Sequence, residues 1–239
     1  MYNRALREKE KALGPKYTST LNTVNNLGLL YASQGKRPEA EVIYTRALRA
    51  FKKALGAKHI STLDTLNNLG LLCVDQGRLE RAETMYIRAL QGYEDALGSK
   101  HTSTLQVVNN LGNLYRDQCK LSEAESMYIR ALQGKEEALG PKHASTLDTV
   151  NNLGNLYADQ GKLVDAEMMY TRALQGYEET LGNHVSSYIP ALNTMFNLGH
   201  LYSEIRREDM AKKMYARALS GLKNVQALLQ ICVGKLNID

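Results

Sequence analysis

Apolar and polar positions in this chain follow two helical stripes that alternate along the sequence. Leu105, Val108, Leu111 and Tyr115 recur at intervals of three and four, and Leu121, Ala124, Tyr128, Ala131 and Leu132 form the next stripe. Such spacing gathers apolar side chains on one face of an α-helix. The polar break Gln118-Cys119-Lys120 separates the stripes, so the pattern predicts two helices joined by a tight turn. This hairpin recurs: Asn-Asn-Leu-Gly stands at Asn25, Asn67, Asn109 and Asn151, every 42 residues, followed by Tyr31, Cys73, Tyr115 and Tyr157. A worn copy carries Asn197-Leu198-Gly199, displaced by three extra residues in the connection Leu181 to Ile189, a loop site where insertion is tolerated. A fixed period means a stack of copies in which each unit contacts mainly its neighbours, not one globular core.

The helix boundaries are also legible. Ser61, Ser103 and Ser145 precede apolar runs and are followed three residues later by Asp64, Gln106 and Asp148, which reads as an N-cap related to the capping box. Gly56, Gly98, Gly140 and Gly182 read as C-caps, and Pro38 falls at a helix start, where its missing donor costs little. Gly28, Gly70, Gly112, Gly154 and Gly199 lie inside first helices, where glycine costs roughly 1 kcal/mol against alanine. Close helix approach is the expected compensation, with Ala40, Ala82, Ala124, Ala166 and Ala211 as the facing small residues.

Leu111, Gly112, Tyr115, Ala124, Tyr128 and Ala131 stand at a spacing that resembles tetratricopeptide repeats, and the resemblance covers almost the whole chain. The longer unit and the linker Ala138 to His143 are similar to the repeats of kinesin light chains. The phrasing Met-Tyr-x-Arg-Ala-Leu-Gln-Gly-Tyr-Glu resembles the arrays that follow the nucleotide-binding domain of fungal NB-ARC or NACHT receptors. Kinesin light chains typically read Asn-Asn-Leu-Ala where this chain has Asn-Asn-Leu-Gly, which favours the receptor-type array. The resemblance implies an all-α fold, an α-solenoid wound as a right-handed superhelix. It also implies a surface for protein or peptide, with first helices lining the concave side.

The expected organisation is a single solenoid over 1–239. Residues 1–18 are the second helix and linker of a truncated unit, with Tyr2, Ala5 and Leu6 in the register of Tyr44, Ala47 and Leu48, so the chain reads as a fragment of a longer protein. Five units follow at 19–60, 61–102, 103–144, 145–189 and 190–239, the last including a long capping helix through Leu222, Val225, Leu228, Leu229 and Val233.

No apolar run approaches the roughly 20 residues that span a membrane, and no signal-peptide pattern is present. Cys73, Cys119 and Cys232 lack a metal or disulfide spacing and read as fillers in a reducing compartment; the expected location is cytoplasmic. The segment Gly154 to Lys162 has the wrong spacing for a phosphate-binding loop. His59, His101 and His143 fall once per repeat on separate layers, as linker residues and not metal ligands. The chain is therefore expected to be non-catalytic, with no cofactor and no metal.

The candidate site is the concave face. Asn25, Asn67, Asn109 and Asn151 are expected to look into it beside Asn26, Asn68, Asn110, Asn152 and Asn197, with Asn113 and Asn155 further along the helices. Their amides offer both donors and acceptors to a peptide backbone; the alternative is that some tie adjacent helices together. Asp75, Asp117, Asp159 and Glu204 form an acidic column with Arg116 as its basic member, although the chain's formal net charge is +5. Arg46, Arg88, Arg130, Arg172 and Arg217 are assigned to a solvated outer face, and no motif accompanies them that would signal nucleic-acid binding. The expected partner is a neutral or basic protein or peptide segment, with self-association as a further possibility.

Overall fold

The computed structural model describes residues 8, 9, 11, 12, 14 and 17–236, with side chains as far as 227. Tyr2, Ala5 and Leu6, and the side chains of Leu228, Leu229, Cys232 and Val233, lie outside the described residues. The chain is all-α. Its helices are α1 (Thr18–Ser33), α2 (Arg37–Leu55), α3 (Ile60–Asp75), α4 (Leu79–Leu97), α5 (Thr102–Asp117), α6 (Leu121–Leu139), α7 (Ala144–Asp159), α8 (Leu163–Leu181), α9 (Ile189–Glu204) and α10 (Glu208–Leu236). The three-residue insertion forms a 3₁₀ turn, Gly182–Ser187, between α8 and α9.

Backbone contacts divide the chain into two compact units, Met1–Lys120 and Leu121–Asp239. In the first, α3 packs between α2 and α4, and each first helix also touches the next, α1 to α3 and α3 to α5, whereas the backbones of α2 and α4 do not meet. The second unit repeats this with α7 between α6 and α8 and α9 between α8 and α10; α7 touches α9, and the second helices stay apart. First helices therefore crowd one side of each unit and second helices splay on the other.

The interior glycines are compensated by a different residue from the one expected. A Cβ added at Gly28, Gly70, Gly154 or Gly199 would lie 2.5 to 2.8 Å from the ring of Tyr44, Tyr86, Tyr170 or Tyr215. Ala40, Ala82 and Ala166 are fully buried, but the atoms over the glycines belong to the tyrosines one turn further along. An aromatic ring packed against helix backbone buries more apolar area than an alanine contact would.

The N-caps also differ from the expectation. The helices begin two residues earlier than serine caps would start them, and His59, His101 and His143 are the caps: each Nδ1 accepts from the backbone N–H of Ser61, Ser103 or Ser145 at 3.2 Å. The linker histidine thus satisfies a donor that the helix start leaves open. Tyr17 and Tyr188, which replace it in the outer repeats, make no such bond. His101→Ala is expected to lower stability by about 0.5–2 kcal/mol, and His101→Asn to recover most of that, as read by chemical denaturation.

Past the final hairpin α10 continues as one helix of 29 residues, with Leu219 and Leu222 still in solvent.

Candidate binding face

On each first helix the positions i, i+4, i+7 and i+11 lie on one face of the helix. On α3 these are Asp64, Asn68, Leu71 and Asp75; on α5, Gln106, Asn110, Asn113 and Asp117; on α7, Asp148, Asn152, Asn155 and Asp159; on α9, Asn193, Asn197, His200 and Glu204. Asp75 and Asp117 in the first unit, and Asp159 and Glu204 in the second, are exposed at the same end of their helices. Arg116 is half-buried beside Asp117, and Asn26 on α1 is exposed.

The first asparagine of each pair has a different setting. Asn25 Oδ1 accepts from Thr65 Oγ1 at 3.3 Å. Asn151 Oδ1 accepts from Thr194 Oγ1 at 3.0 Å and Asn197 Nδ2 at 3.3 Å. In α5 valine replaces that threonine, as Val107, and Asn110 Nδ2 supplies the donor to Asn67 Oδ1 at 2.9 Å instead. These carboxamides bridge successive first helices. Asn109 and Asn110 are only 5% and 6% exposed. Asn155 accepts from Asn197 Nδ2 at 2.9 Å and from the Tyr170 hydroxyl at 2.8 Å, while Asn68, Asn113 and Asn152 are half-buried along the stripe.

Asp64 and Asp148 do not cap helices. Each accepts from the tyrosine hydroxyl of its own second helix, Tyr93 to Asp64 and Tyr177 to Asp148 at 2.5 Å. Burial, reinforced by the carboxylate partner, pushes both phenols above their ordinary range.

A device that the sequence reading passed over lies on the other side of each unit. Glu41, Glu83, Glu125 and Glu167 each receive polar groups from the hairpin turn of the following repeat. Gln76, Gln118 and Gln160 donate to Glu41, Glu83 and Glu125 at 3.4, 3.1 and 3.0 Å. The basic residue two positions later joins them: Arg78 to Glu41 at 2.6 Å, Lys120 to Glu83 at 3.5 Å and Lys162 to Glu125 at 3.6 Å, with Arg207 to Glu167 at 2.9 Å in the last repeat. The Arg78 guanidinium holds the Glu41 carboxyl below its usual range. Lys36, Lys120 and Lys162 also lie 5.7, 5.4 and 5.3 Å from the ring centroids of Tyr31, Tyr115 and Tyr157, a cation–π contact. The Gln-Gly-Lys break is thus an inter-repeat clamp, and the glutamates recurring every 42 residues were its sequence signal.

Two of the arginines assigned to a solvated face belong to a second set of ties, Arg172 to Glu136 and Arg217 to Glu178, and Lys58–Asp95 and Lys142–Glu179 close the linkers at 2.8 and 2.7 Å. Exposed pairs of this kind contribute little stability each. Their larger consequence is electrostatic, because they hold these basic groups in pairs away from the first-helix stripe.

Among the described residues no group of three or more His, Cys, Asp or Glu side chains could hold a metal ion, and no helix is long and apolar enough to cross a membrane. Cys73 is buried, which pushes its thiol up. Cys119 is exposed, at φ 58° in a turn where three sister repeats carry glycine; it occupies a turn position and fills no core gap.

Stacked hairpins with a Leu-Gly first helix and an Ala-Tyr-Ala second helix define a class of helical repeat protein. Residues 1–53, 19–95, 61–136 and 102–179 match the family model of the tetratricopeptide repeat, and 192–220 match a second model of the same repeat; the chain belongs to the tetratricopeptide repeat family. No curated protein sequence matches it. Among solved structures it is similar to BtubC (BKLC) from P. vanneervenii, at 22% identity and TM-score 0.76 over 96% of this chain and 89% of that one. A putative kinesin light chain with nearly identical TPR-like repeats from Podosopora anserina aligns at 19% identity and TM-score 0.70, over 87% of this chain and 97% of that one. A Rap protein in complex with competence and sporulation factor aligns at 15% identity and TM-score 0.74, over 94% of this chain and 64% of that one. At these identities the likeness is one of fold. Tetratricopeptide repeats typically mediate protein–protein interaction.

Proposed function

We propose that this array recognises an extended protein or peptide segment, neutral or basic in character, along the first-helix stripe, as the ligand-sensing part of a cytoplasmic receptor of the fungal NB-ARC or NACHT kind. One observation carries the reading: in a chain of formal charge +5, Arg78, Lys120, Lys162 and Arg207 are held in ion pairs of the outer ties, while Asp75 and Asp117 in the first unit and Asp159 and Glu204 in the second are exposed at the same end of their helices. A basic segment approaching either unit meets exposed carboxylates, and their field steers it. Half-buried Asn68, Asn113 and Asn152 then supply amide groups beside the column. The complex of the Rap protein supports a partner seated on such a fold. The two kinesin-light-chain-like neighbours favour a second reading, a cargo adaptor, which uses the same face and differs in the parent chain.

The test is to pan a random-peptide library on the wild type and on the triple variant Asp75→Asn, Asp117→Asn, Asp159→Asn. The carboxylates are chosen because Asn67 and Asn151 hold neighbouring helices. Selected peptides should be rich in Lys and Arg, weaken with added salt, and bind the variant at least tenfold less tightly with unchanged melting. Peptides without charge bias that bind both proteins equally would overturn the reading.

A further inference from the structure

We infer that the segment bound along the first-helix stripe carries a leucine-sized apolar residue within two positions of its basic residues, and that Leu29 and Leu71 read it. The inference rests on the stripe being the recognition face, and divides that face in the first unit into an apolar half and an acidic half.

The division runs helix by helix. At one stripe position α1 and α3 carry Leu29 and Leu71, whereas α5 carries Asn113; three residues on, Ala32 and Val74 stand where α5 has Arg116. Leu29 is 47% and Leu71 44% exposed, with Ala32 and Val74 half-buried beside them. The helices α1 and α3 touch, and the bond from Thr65 Oγ1 to Asn25 Oδ1 fixes their register. Leu29 and Leu71 both follow that bond, offset by about 3 Å along the helices. Leu71 is exposed although α3 touches first helices on both sides, α1 and α5, so it faces the groove and not an end of the stack. Single exposed leucines are ordinary surface; two on touching helices, each with an apolar neighbour one turn on, form a contiguous patch.

The charge beside the patch specifies its occupant. Asp75 lies one turn beyond Leu71 on α3, and Asp117 at the same end of α5, both exposed; α1 has the uncharged Ser33 there. Apolar surface thus lies over α1 and α3, and carboxylates over α3 and α5. One helical turn separates Leu71 from Asp75, about 6 Å, which an extended segment covers in two residues at roughly 3.3 Å each. A segment with an apolar residue and a lysine or arginine at that spacing satisfies both halves. A wholly polar basic segment leaves the leucines wet, and an acidic apolar one is repelled, so the pair of surfaces selects against each.

The probe is a synthetic random-peptide library, panned on the whole chain and on Leu29→Asn/Leu71→Asn, which copies the asparagine of α5. Wild-type selections should be enriched in Leu, Ile, Val or Phe within two positions of Lys or Arg. In anisotropy titrations those peptides should bind the variant about tenfold more weakly, and the variant should melt like the wild type. Asn113→Leu provides an independent variant should it melt early: it extends the apolar half to α5 and should select peptides with a second apolar residue, and an unchanged selection would overturn the inference. Basic peptides without apolar enrichment, or equal binding to the wild type and the asparagine variant, overturn the inference and leave the basic-segment reading in place. Apolar peptides without basic residues, or no selected peptides, overturn both. A wild-type dimer in light scattering that the asparagine variant abolishes also overturns the inference, because a second copy would then cover the leucines.

Discussion

Lys135→Met is expected to stabilise the chain near neutral pH by roughly 2–3 kcal/mol and to raise its melting temperature by several degrees. Lys135 on α6 occupies the position of Phe51, Tyr93 and Tyr177 and is equally buried, at 2% exposure. Its Nζ donates to the Ser145 carbonyl at 3.2 Å and to Thr149 Oγ1 at 2.9 Å, and the Coulombic pull of Asp148 also favours the charge. Burial dominates and pushes the ammonium pKa from 10.5 to about 8. The sign follows from proton binding. Between about pH 8 and 10.5 the unfolded chain holds a proton that the folded chain has released, so stability rises with pH across that window. Below pH 8 the burial cost is present in full, roughly 3 kcal/mol. Methionine removes the charge at similar volume and strands no partner, because Thr149 Oγ1 also donates to the Ser145 carbonyl at 3.2 Å. Denaturation of both proteins at pH 7, 9 and 10.5 should show the gap closing as pH rises. A gap independent of pH would mean that Lys135 is not the group responsible.

Gly70→Ala is expected to destabilise by about 1–3 kcal/mol, although alanine favours helix by roughly 1 kcal/mol. The new Cβ would lie 2.5 Å from the ring of Tyr86, itself 1% exposed, so the ring has nowhere to go. Tyr86→Phe keeps the ring and should not relieve the loss; Tyr86→Leu costs stability alone but should couple favourably with Gly70→Ala in a double-mutant cycle. Additive effects would mean that ring contact is not why glycine stands there.

These two cases show where sequence reading reached its limit. Stripe spacing and the 42-residue recurrence located every helix pair, since both are local properties of the chain. The interior glycine signals a close approach, but Ala82 and Tyr86, four residues apart, recur with the same period, so periodicity does not separate the alanine from the tyrosine that makes the contact. The serine caps failed for a related reason, as His101 and Ser103 are two residues apart and either can serve a helix start. Ties between repeats were the least legible. Asn67 with Asn110 and Glu41 with Gln76 are set by how one hairpin sits on the next, which no single repeat contains. That Asp75, Asp117 and Asp159 each stand at the C-terminal end of a first helix follows from helix register alone.

Amide hydrogen exchange with and without a peptide selected on the wild type tests the proposed recognition face most directly. The account predicts added protection confined to first helices, at the ends of α3, α5 and α7 that carry Asp75, Asp117 and Asp159. Protection confined to the second helices α2, α4, α6 and α8 would contradict it and place recognition on the outer side.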